Sequence, residues 1–136
     1  MPSAVADLGK ALYKTTVEDP TLTILLSGKK VYDLFPPQGT VPPYIVLGSI
    51  GETNWNVFNG PGKSGNITIH IWVNTSKRQS LAIYWQLEQL LNRTLIPIDN
   101  HVLLRGELDL ITIMNDNMDP GLIHTVANYS FITKSM

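Results

Sequence analysis

The chain has 136 residues, of which 43% are hydrophobic and 15% are charged, and its formal net charge is -1. This length suits one folded domain with a sizeable core, and the hydrophobic fraction excludes a disordered tail. The absence of cysteine excludes disulfides, zinc–thiolate sites and thiol nucleophiles, and a charge-poor chain is a weak binder of nucleic-acid phosphates.

The N-terminal part of the chain is predicted to be helical. Apolar residues recur at helical spacing over residues 3–17, which indicates an amphipathic helix with Ser3 as its N-cap. Asp19-Pro20 ends this helix, and a short helical turn over residues 21–26 follows. The first residues have neither a basic start nor an apolar run, so we expect no secretory signal.

Two strands and a stiff loop are predicted next. Residues 31–34 indicate a short strand, and the loop over residues 35–43 holds four of the nine prolines. Residues 44–50 are apolar on both faces, which is typical of a central strand.

A glycine- and asparagine-rich segment separates that strand from the clearest strand pattern in the chain. We interpret residues 51–65 as a long, flexible loop between two strands. Trp55 and Phe58 lie in this segment, and large aromatics in such a loop are typical anchors for a partner or for the loop itself. Isoleucines then alternate with polar residues over 67–73, which predicts a half-buried strand.

A second helix and two more strands complete the prediction. Ser76 opens the helix with a capping box, and the helix runs to about Arg93. The strands cover roughly residues 101–113 and 122–133, and Gly106 indicates a bulge in the first of them. In the first strand, Leu104, Leu108 and Leu110 are expected to face away from Arg105, Glu107 and Asp109.

These elements predict an α+β fold in one domain over residues 1–136. The expected order is α-β-β-β-α-β-β, with two helices packed on one face of a largely antiparallel sheet of about five strands. The longest apolar runs are far shorter than the roughly 18 residues that a membrane span needs, so no membrane partner is expected.

Motifs for chemistry are weak throughout. No histidine has a metal-ligand spacing, and Gly62-Lys63-Ser64 lacks the upstream glycine and the following helix of a phosphate loop. The Asn117 to Asp119 segment resembles part of a calcium loop, but Pro120 stands where glycine is required. We therefore expect no enzyme, metal or cofactor, and we interpret the remaining aromatic and amide residues as interaction sites.

Two segments carry a family resemblance. Val31-Tyr32-Asp33-Leu34-Phe35-Pro36-Pro37-Gln38-Gly39, followed by Pro43-Tyr44-Ile45-Val46-Leu47-Gly48, resembles the tail completion proteins of long-tailed bacteriophages. The order of the later elements, with an Asp119-Pro120-Gly121 turn near the end, is also similar to that family. The resemblance covers nearly the whole chain, and its motifs are structural.

The resemblance implies a structural role in the virion. Family members form a ring, usually a hexamer, which caps the head-proximal end of the tail tube and joins it to the head connector while DNA passes through the lumen. The implied partners are other copies of the chain, the tail tube protein and the head connector or stopper protein, with assembly in the host cytoplasm. The free protein could then be a monomer that orders its interface only on its template.

No catalytic residue is implied by the resemblance, so the candidate site residues are contacts. These contacts are expected to meet other subunits or the tail tube. They are the loop residues Trp55, Asn56, Phe58 and Lys63 and the turn residues Asn117 and Asp119. Trp85 on the flank of the second helix is a second candidate patch. Three alternatives stay open: a connector or stopper ring on the head side, a small-molecule-binding or enzymatic domain with a pocket near His70 or Glu107, and a nucleic-acid-binding module.

Overall fold

The computed structural model describes residues 3–55, 61–116 and 121–135. Helix α1 covers Val5–Val17, α2 Pro20–Leu26 and α3 Lys77–Leu91. Strand β1 covers Val31–Asp33, β2 Tyr44–Asn54, β3 Gly62–Val73, β4 His101–Asn115 and β5 Ile123–Ser135. The prediction of an α+β fold is confirmed, with α2 as an additional short helix where only a helical turn was expected.

The five strands form one sheet in the order β1-β2-β3-β5-β4. The pair β1–β2 is parallel, and the other three pairs are antiparallel. As predicted, β2 is an interior strand and the sheet is largely antiparallel.

The core lies between the helices and one face of the sheet, where apolar side chains from both are almost fully buried. Alternate residues of β3 and β5 point to this helix-covered face, and the intervening residues are half-buried on the other face, which we call the open face. The largest side chains in the core, at 2% exposure or less, include Leu8, Leu12, Leu22, Leu26, Ile69, Ile71, Ile83, Tyr129 and Phe131. Burial of each such side chain contributes about 1.5–3 kcal/mol.

The N-terminus of α1 differs from the prediction because β2 caps it. Ala4, not Ser3, occupies the N-cap position. The Glu52 carboxylate accepts hydrogen bonds from Ser3 Oγ at 2.6 Å and from the Ala4 amide at 3.2 Å. A carboxylate in this position also interacts favourably with the helix dipole. Ser3 therefore bridges α1 to the sheet and does not cap the helix alone.

The helix α2 exists because Asp19 caps it with its side chain. Asp19 Oδ2 accepts from the Leu22 amide at 2.9 Å, and Pro20 occupies the first turn, where its missing N–H is no loss. The same carboxylate accepts from Gln86 Nε2 at 3.0 Å and so joins α2 to α3.

The third helix begins as predicted and ends two residues early. Ser76 is the N-cap and its Oγ accepts from the Gln79 amide at 3.2 Å. The Gln79 side chain completes no capping box, since it bonds to Thr75 Oγ1. Arg93, with a φ of 58°, lies beyond the end of the helix. Asn92, the C-cap, joins the helix end to β4, because its Oδ1 accepts a hydrogen bond from the Leu108 amide at 3.0 Å.

The predicted loop over residues 51–65 is mostly strand, which is a correction. The ladder between β2 and β3 continues through the pairs Gly51↔Asn66 and Asn54↔Lys63. A Cβ on Gly62 would lie 2.7 Å from Thr133 O, and one on Gly65 would lie 2.9 Å from Glu52 Cα. The glycines are needed for close approach of strands and do not mark a loop here.

The faces of β4 also differ from the prediction, because two bulges interrupt it. The pairing with β5 skips Leu104 and Ile111. Leu108 faces the core as expected, whereas Leu104 is 43% exposed and Leu110 is 39% exposed, and Leu103 is buried in place of Leu104. Gly106 is not a bulge residue: it pairs with Phe131 and leaves room for the Tyr129 side chain.

We predict that Gly106→Ala destabilises the fold by about 1–3 kcal/mol, because the new Cβ would meet Tyr129 Oη and would lie 2.9 Å from Tyr129 Cζ. Gly51→Ala is the matched control, since no heavy atom lies within 4 Å of its Cβ position. Urea denaturation of both variants measures the difference.

The Tyr129→Phe variant isolates the contact between residue 106 and the Tyr129 hydroxyl. Burial raises the pKa of Tyr129 to about 12, and its hydroxyl has no hydrogen-bond partner among the described residues. Tyr129→Phe should therefore cost little, and Gly106→Ala should destabilise less in that background. An equal loss in both backgrounds would contradict the proposed steric cause.

Candidate interaction surfaces

The end of the hairpin formed by β2 and β3 carries two of the predicted contact residues. Trp55 is 41% exposed, and its amide donates to Gly62 O at 2.8 Å. Lys63 Nζ donates to Asn54 Oδ1 at 2.6 Å across the ladder. Trp55 and Lys63 thus lie together on a hydrogen-bonded hairpin end, and Asn56 and Phe58 lie outside the described residues.

The ends of β4 and β5 that flank residues 117–120 lie far from Trp55. The ladder of β3 and β5 runs from Gly62↔Lys134 to Val73↔Ile123, which is roughly 36 Å at about 3.3 Å per residue. Trp55 adjoins the first pair, whereas Asn115 pairs with Ile123 at the other end. Asn117 and Asp119 themselves lie outside the described residues, and their role as contacts stays a prediction.

Trp85 occupies a third location on the helical layer. It is 57% exposed on α3, whose buried face is formed by Ser80, Ile83, Tyr84, Leu87 and Leu91. The predicted position of Trp85 on the flank of the helix is confirmed. The role of Trp85 as a contact stays a prediction.

An aromatic cluster on the open face was not predicted as a site. The rings of Trp72 and His124 stack at a centroid distance of 3.8 Å and an interplanar angle of 7°. His70 Nδ1 lies 2.8 Å from His124 Nε2, within hydrogen-bond distance. Tyr32 and Tyr44 continue the cluster towards β1 with a ring distance of 6.2 Å. We call Tyr32, Tyr44, His70, Trp72 and His124 the aromatic band.

Partial burial keeps both imidazoles of the band neutral at pH 7. It lowers the pKa of His70. Burial first, and repulsion from a protonated His70 second, lower the pKa of His124 to about 4 against an opposing effect of Asp116. A hydrogen bond between two ring nitrogens needs one of them unprotonated, so the observed geometry belongs to the neutral or singly protonated pair.

The other half of the open face is a polar groove of about 700 Å³, lined by Gly51, Glu52, Thr53, Ser64, Gly65, Asn66, Arg105, Glu107, Ser130, Phe131 and Ile132. Arg105 Nη2 lies 3.0 Å from Glu107 Oε1, so these two charges neutralise each other, and Glu52 is the third charged residue of the lining. A groove near Glu107 was the expectation of the small-molecule alternative. The described residues hold no cluster of three metal-ligating side chains.

Comparison with known proteins identifies the family of the chain. A model of the family described as Tail completion protein gp17 matches residues 10–134. The chain belongs to this family. This match confirms the resemblance seen in the sequence. Tail completion proteins are structural and not enzymatic.

The tail completion fold also occurs in a solved particle. A chain from the structure entitled "Virion of native gene transfer agent (GTA) particle" superposes with a TM-score of 0.80 at 16% sequence identity, covering 98% of each chain. No curated protein matches this tail completion protein in sequence. None of the described helices is long and apolar enough to cross a membrane.

We predict that the tail completion domain loses stability as the pH falls from about 6.5 to about 4. The folded-state pKa of His124 lies below its value in the unfolded chain, so the unfolded state binds more protons in this window. His124→Phe keeps a ring against Trp72 and removes the titration. Between pH 7 and pH 4.5, the free energy of unfolding of this variant should fall by roughly 1 kcal/mol less than that of the wild type. The full pKa shift would give a larger difference, but solvent screens the half-buried rings.

Urea denaturation at both pH values measures this difference. Effects of pH that do not involve His124 occur in both proteins, so the comparison cancels them. Identical losses in the two proteins would exclude the histidine pair as the cause.

Proposed function

We propose that this protein forms a homo-oligomeric ring, a hexamer in the virion, at the head-proximal end of a phage-like tail tube and joins that tube to the head connector. The observation that carries the proposal is family membership over residues 10–134. The chain of a gene transfer agent particle with the same fold over its whole length supports a place within a virion.

The charge of the chain supports a lumen through which DNA passes without specific binding. Ten basic and eleven acidic residues give a net charge of -1. Retention of DNA on a protein surface depends on lysine and arginine contacts to phosphates, so a subunit with few excess cations would hold the DNA weakly.

We further propose that the hairpin end with Trp55 and Lys63 contacts a neighbouring protein of the virion. Trp55 is an exposed large aromatic directly after β2, and tryptophan is enriched at the energetic centres of interfaces. Asn56 and Phe58 adjoin this end in the sequence, whereas Asn117 and Asp119 would serve a contact at the other end of the sheet. Trp85 is the second candidate patch.

The experiment for the proposed function is a joining assay. Heads and tails purified from particles that lack the protein are mixed with and without it, and joined particles are counted by electron microscopy. The proposal expects joined particles only with the protein and a ring at the end of the tail. A ring found on isolated heads and absent from isolated tails would favour a head-side connector or stopper instead.

We predict that Trp55→Ala lowers the yield of joined particles by roughly tenfold or more, since loss of an aromatic anchor commonly costs 2 kcal/mol or more. The fold should remain, because an exposed side chain changes the free energy of unfolding by about 0.5 kcal/mol at most. Trp85→Ala is the matched comparison on another surface. Normal joining with Trp55→Ala would contradict the assignment of the hairpin end, and a defect with Trp85→Ala alone would move the contact to α3.

A further inference from the structure

The exposed apolar side chains of this protein avoid the open face of the sheet. Among the described residues, thirteen large apolar side chains are exposed. Five lie on β4, three on the helices and five in the connecting segments, whereas none lies on β1, β2, β3 or β5. Only Val102 and Met114 share the open face, since they pair with Lys134 and His124, and both belong to the edge strand β4. The open face is therefore a broad surface with few exposed apolar anchors.

The aromatic band of the open face is packed within the subunit itself. The ring of Trp72 stacks on that of His124, and the ring of Tyr44 lies edge-on to that of Tyr32. His124 also holds His70 through the contact between their ring nitrogens. All five residues are half-buried in a single subunit, so the band offers no projecting aromatic side chain of the kind found at the hairpin end.

The open face also carries few charges. At its positions on β1, β2 and β3, the described residues include no lysine, arginine, aspartate or glutamate. Strand β4 contributes Arg105, Glu107 and Asp109, and β5 contributes Lys134, so two positive charges meet two negative ones. The charges of the face therefore cancel, and they lie on the two strands at one side of it.

Two of the three lysines and arginines on or beside this described face are held by acceptors of the same subunit. Arg105 Nη2 lies 3.0 Å from Glu107 Oε1, and Lys30 Nζ, beside β1, donates to Val41 O at 3.0 Å. Lys134 is the third, near the end of β5. The affinity of a protein for DNA grows with the number of phosphates that lysine and arginine neutralise. The open face consequently has little with which to retain DNA.

The helical layer formed by α1, α2 and α3 has the opposite character. Lys10, Lys14, Lys77, Arg78 and Arg93 lie on α1, on α3 or shortly after α3, and all five are exposed. Duplex DNA as long as the β3–β5 ladder, roughly 36 Å, carries roughly 20 phosphate charges. A lumen lined by the helical layer would set five exposed cations of every subunit against these phosphates. Exposed charge suits instead a surface that faces bulk water.

We propose that the open face of the sheet lines the lumen of the ring and that the helical layer faces outward. This inference rests on the proposed ring and names the surface that double-stranded DNA meets as it passes. Contacts between proteins are then left mainly to β4 and the connecting segments, which carry five plus five of the thirteen exposed apolar side chains. The face with few anchors and few available cations lets the DNA pass without holding it.

Cysteine accessibility tests this orientation, because the natural chain has no cysteine. Asn66→Cys places a thiol at an exposed position of the open face, and Thr21→Cys places one at an exposed position of α2. Each variant is assembled on tails that lack heads and is treated with N-ethylmaleimide or with a maleimide on a polyethylene glycol too bulky for the lumen. Mass spectrometry of the denatured protein gives the labelled fraction.

We expect the small reagent to label both positions on tails and the bulky reagent to label position 21 alone. In the free protein both reagents should label both positions, which controls for local burial. Labelling of position 66 by the bulky reagent on tails would overturn the proposal, since the open face would then lie outside. Protection of position 66 from both reagents would overturn it as well, since this face would then be a contact between proteins.

Protection of position 21 from the bulky reagent on tails would contradict the outward helical layer. Each of these contrary results leaves the proposed function standing. Absence of rings from tails that carry the unmodified protein would instead refute the proposed function and this inference with it.

A charge substitution supplies the second measurement. Asn66→Lys adds a cation to the open face, and Thr21→Lys adds the same charge to the helical layer as a matched control. In joined particles, Asn66→Lys should slow the release of DNA at low salt by roughly twofold or more, because every subunit gains a phosphate contact. High salt should restore the rate, since it weakens such contacts.

Thr21→Lys should release DNA at the rate of the wild type at both salt concentrations. Both variants should keep the thermal midpoint of the wild type, because both positions are exposed. Equal rates of DNA release for the two variants at low salt would count against the open face as the lining of the lumen.

Discussion

The antiparallel pairing of β3 with β5 is the constraint on which the rest of this structure depends. The ladder is continuous from Gly62↔Lys134 to Val73↔Ile123, without the irregularities found in the other long pairs. Because side chains alternate between faces, this one register decides which residues enter the core. It places Ile69 and Ala127 under the helices and places His70 and His124 together on the open face. A slip of β5 by one residue would move its apolar set, including Ala127, to the open face and would bury His124.

The parts of the fold that were predictable are those whose signal is local. The alternating isoleucines of β3 and the cap at Ser76 each depend on a few neighbouring residues, and both are confirmed. The extension of the β2–β3 hairpin was missed because glycine signals a loop by local preference. At Gly62 and Gly65 glycine is required instead by the neighbouring strands, a reason that the local sequence does not contain. The bulges at Leu104 and Ile111 were missed for the same reason, since only pairing with β5 defines them.

The candidate sites show the same division between local and long-range information. Trp55, Lys63 and Trp85 could be chosen as candidate contacts from their surroundings in the chain, and the two tryptophans are exposed. Their relative positions could not, because the order of the strands decides which loops share an end of the sheet. The aromatic band is the clearest case: Tyr32, Trp72 and His124 come from three strands that are distant in sequence and meet only through the register. The open-face positions of β3 carried part of the signal, but no local pattern linked them to β1 or β5.

The low charge of the chain and the form of its sheet edges have one common consequence. A protein with a net charge of -1 has little electrostatic protection against self-association, so its edges must limit which contacts can form. Strand β1 has three residues and leads into a proline-rich loop, and β4 is interrupted twice by bulges. Neither edge offers a long regular row of backbone groups to an arbitrary strand. Association is therefore left to side chains, whose shape and charge must match those of the partner.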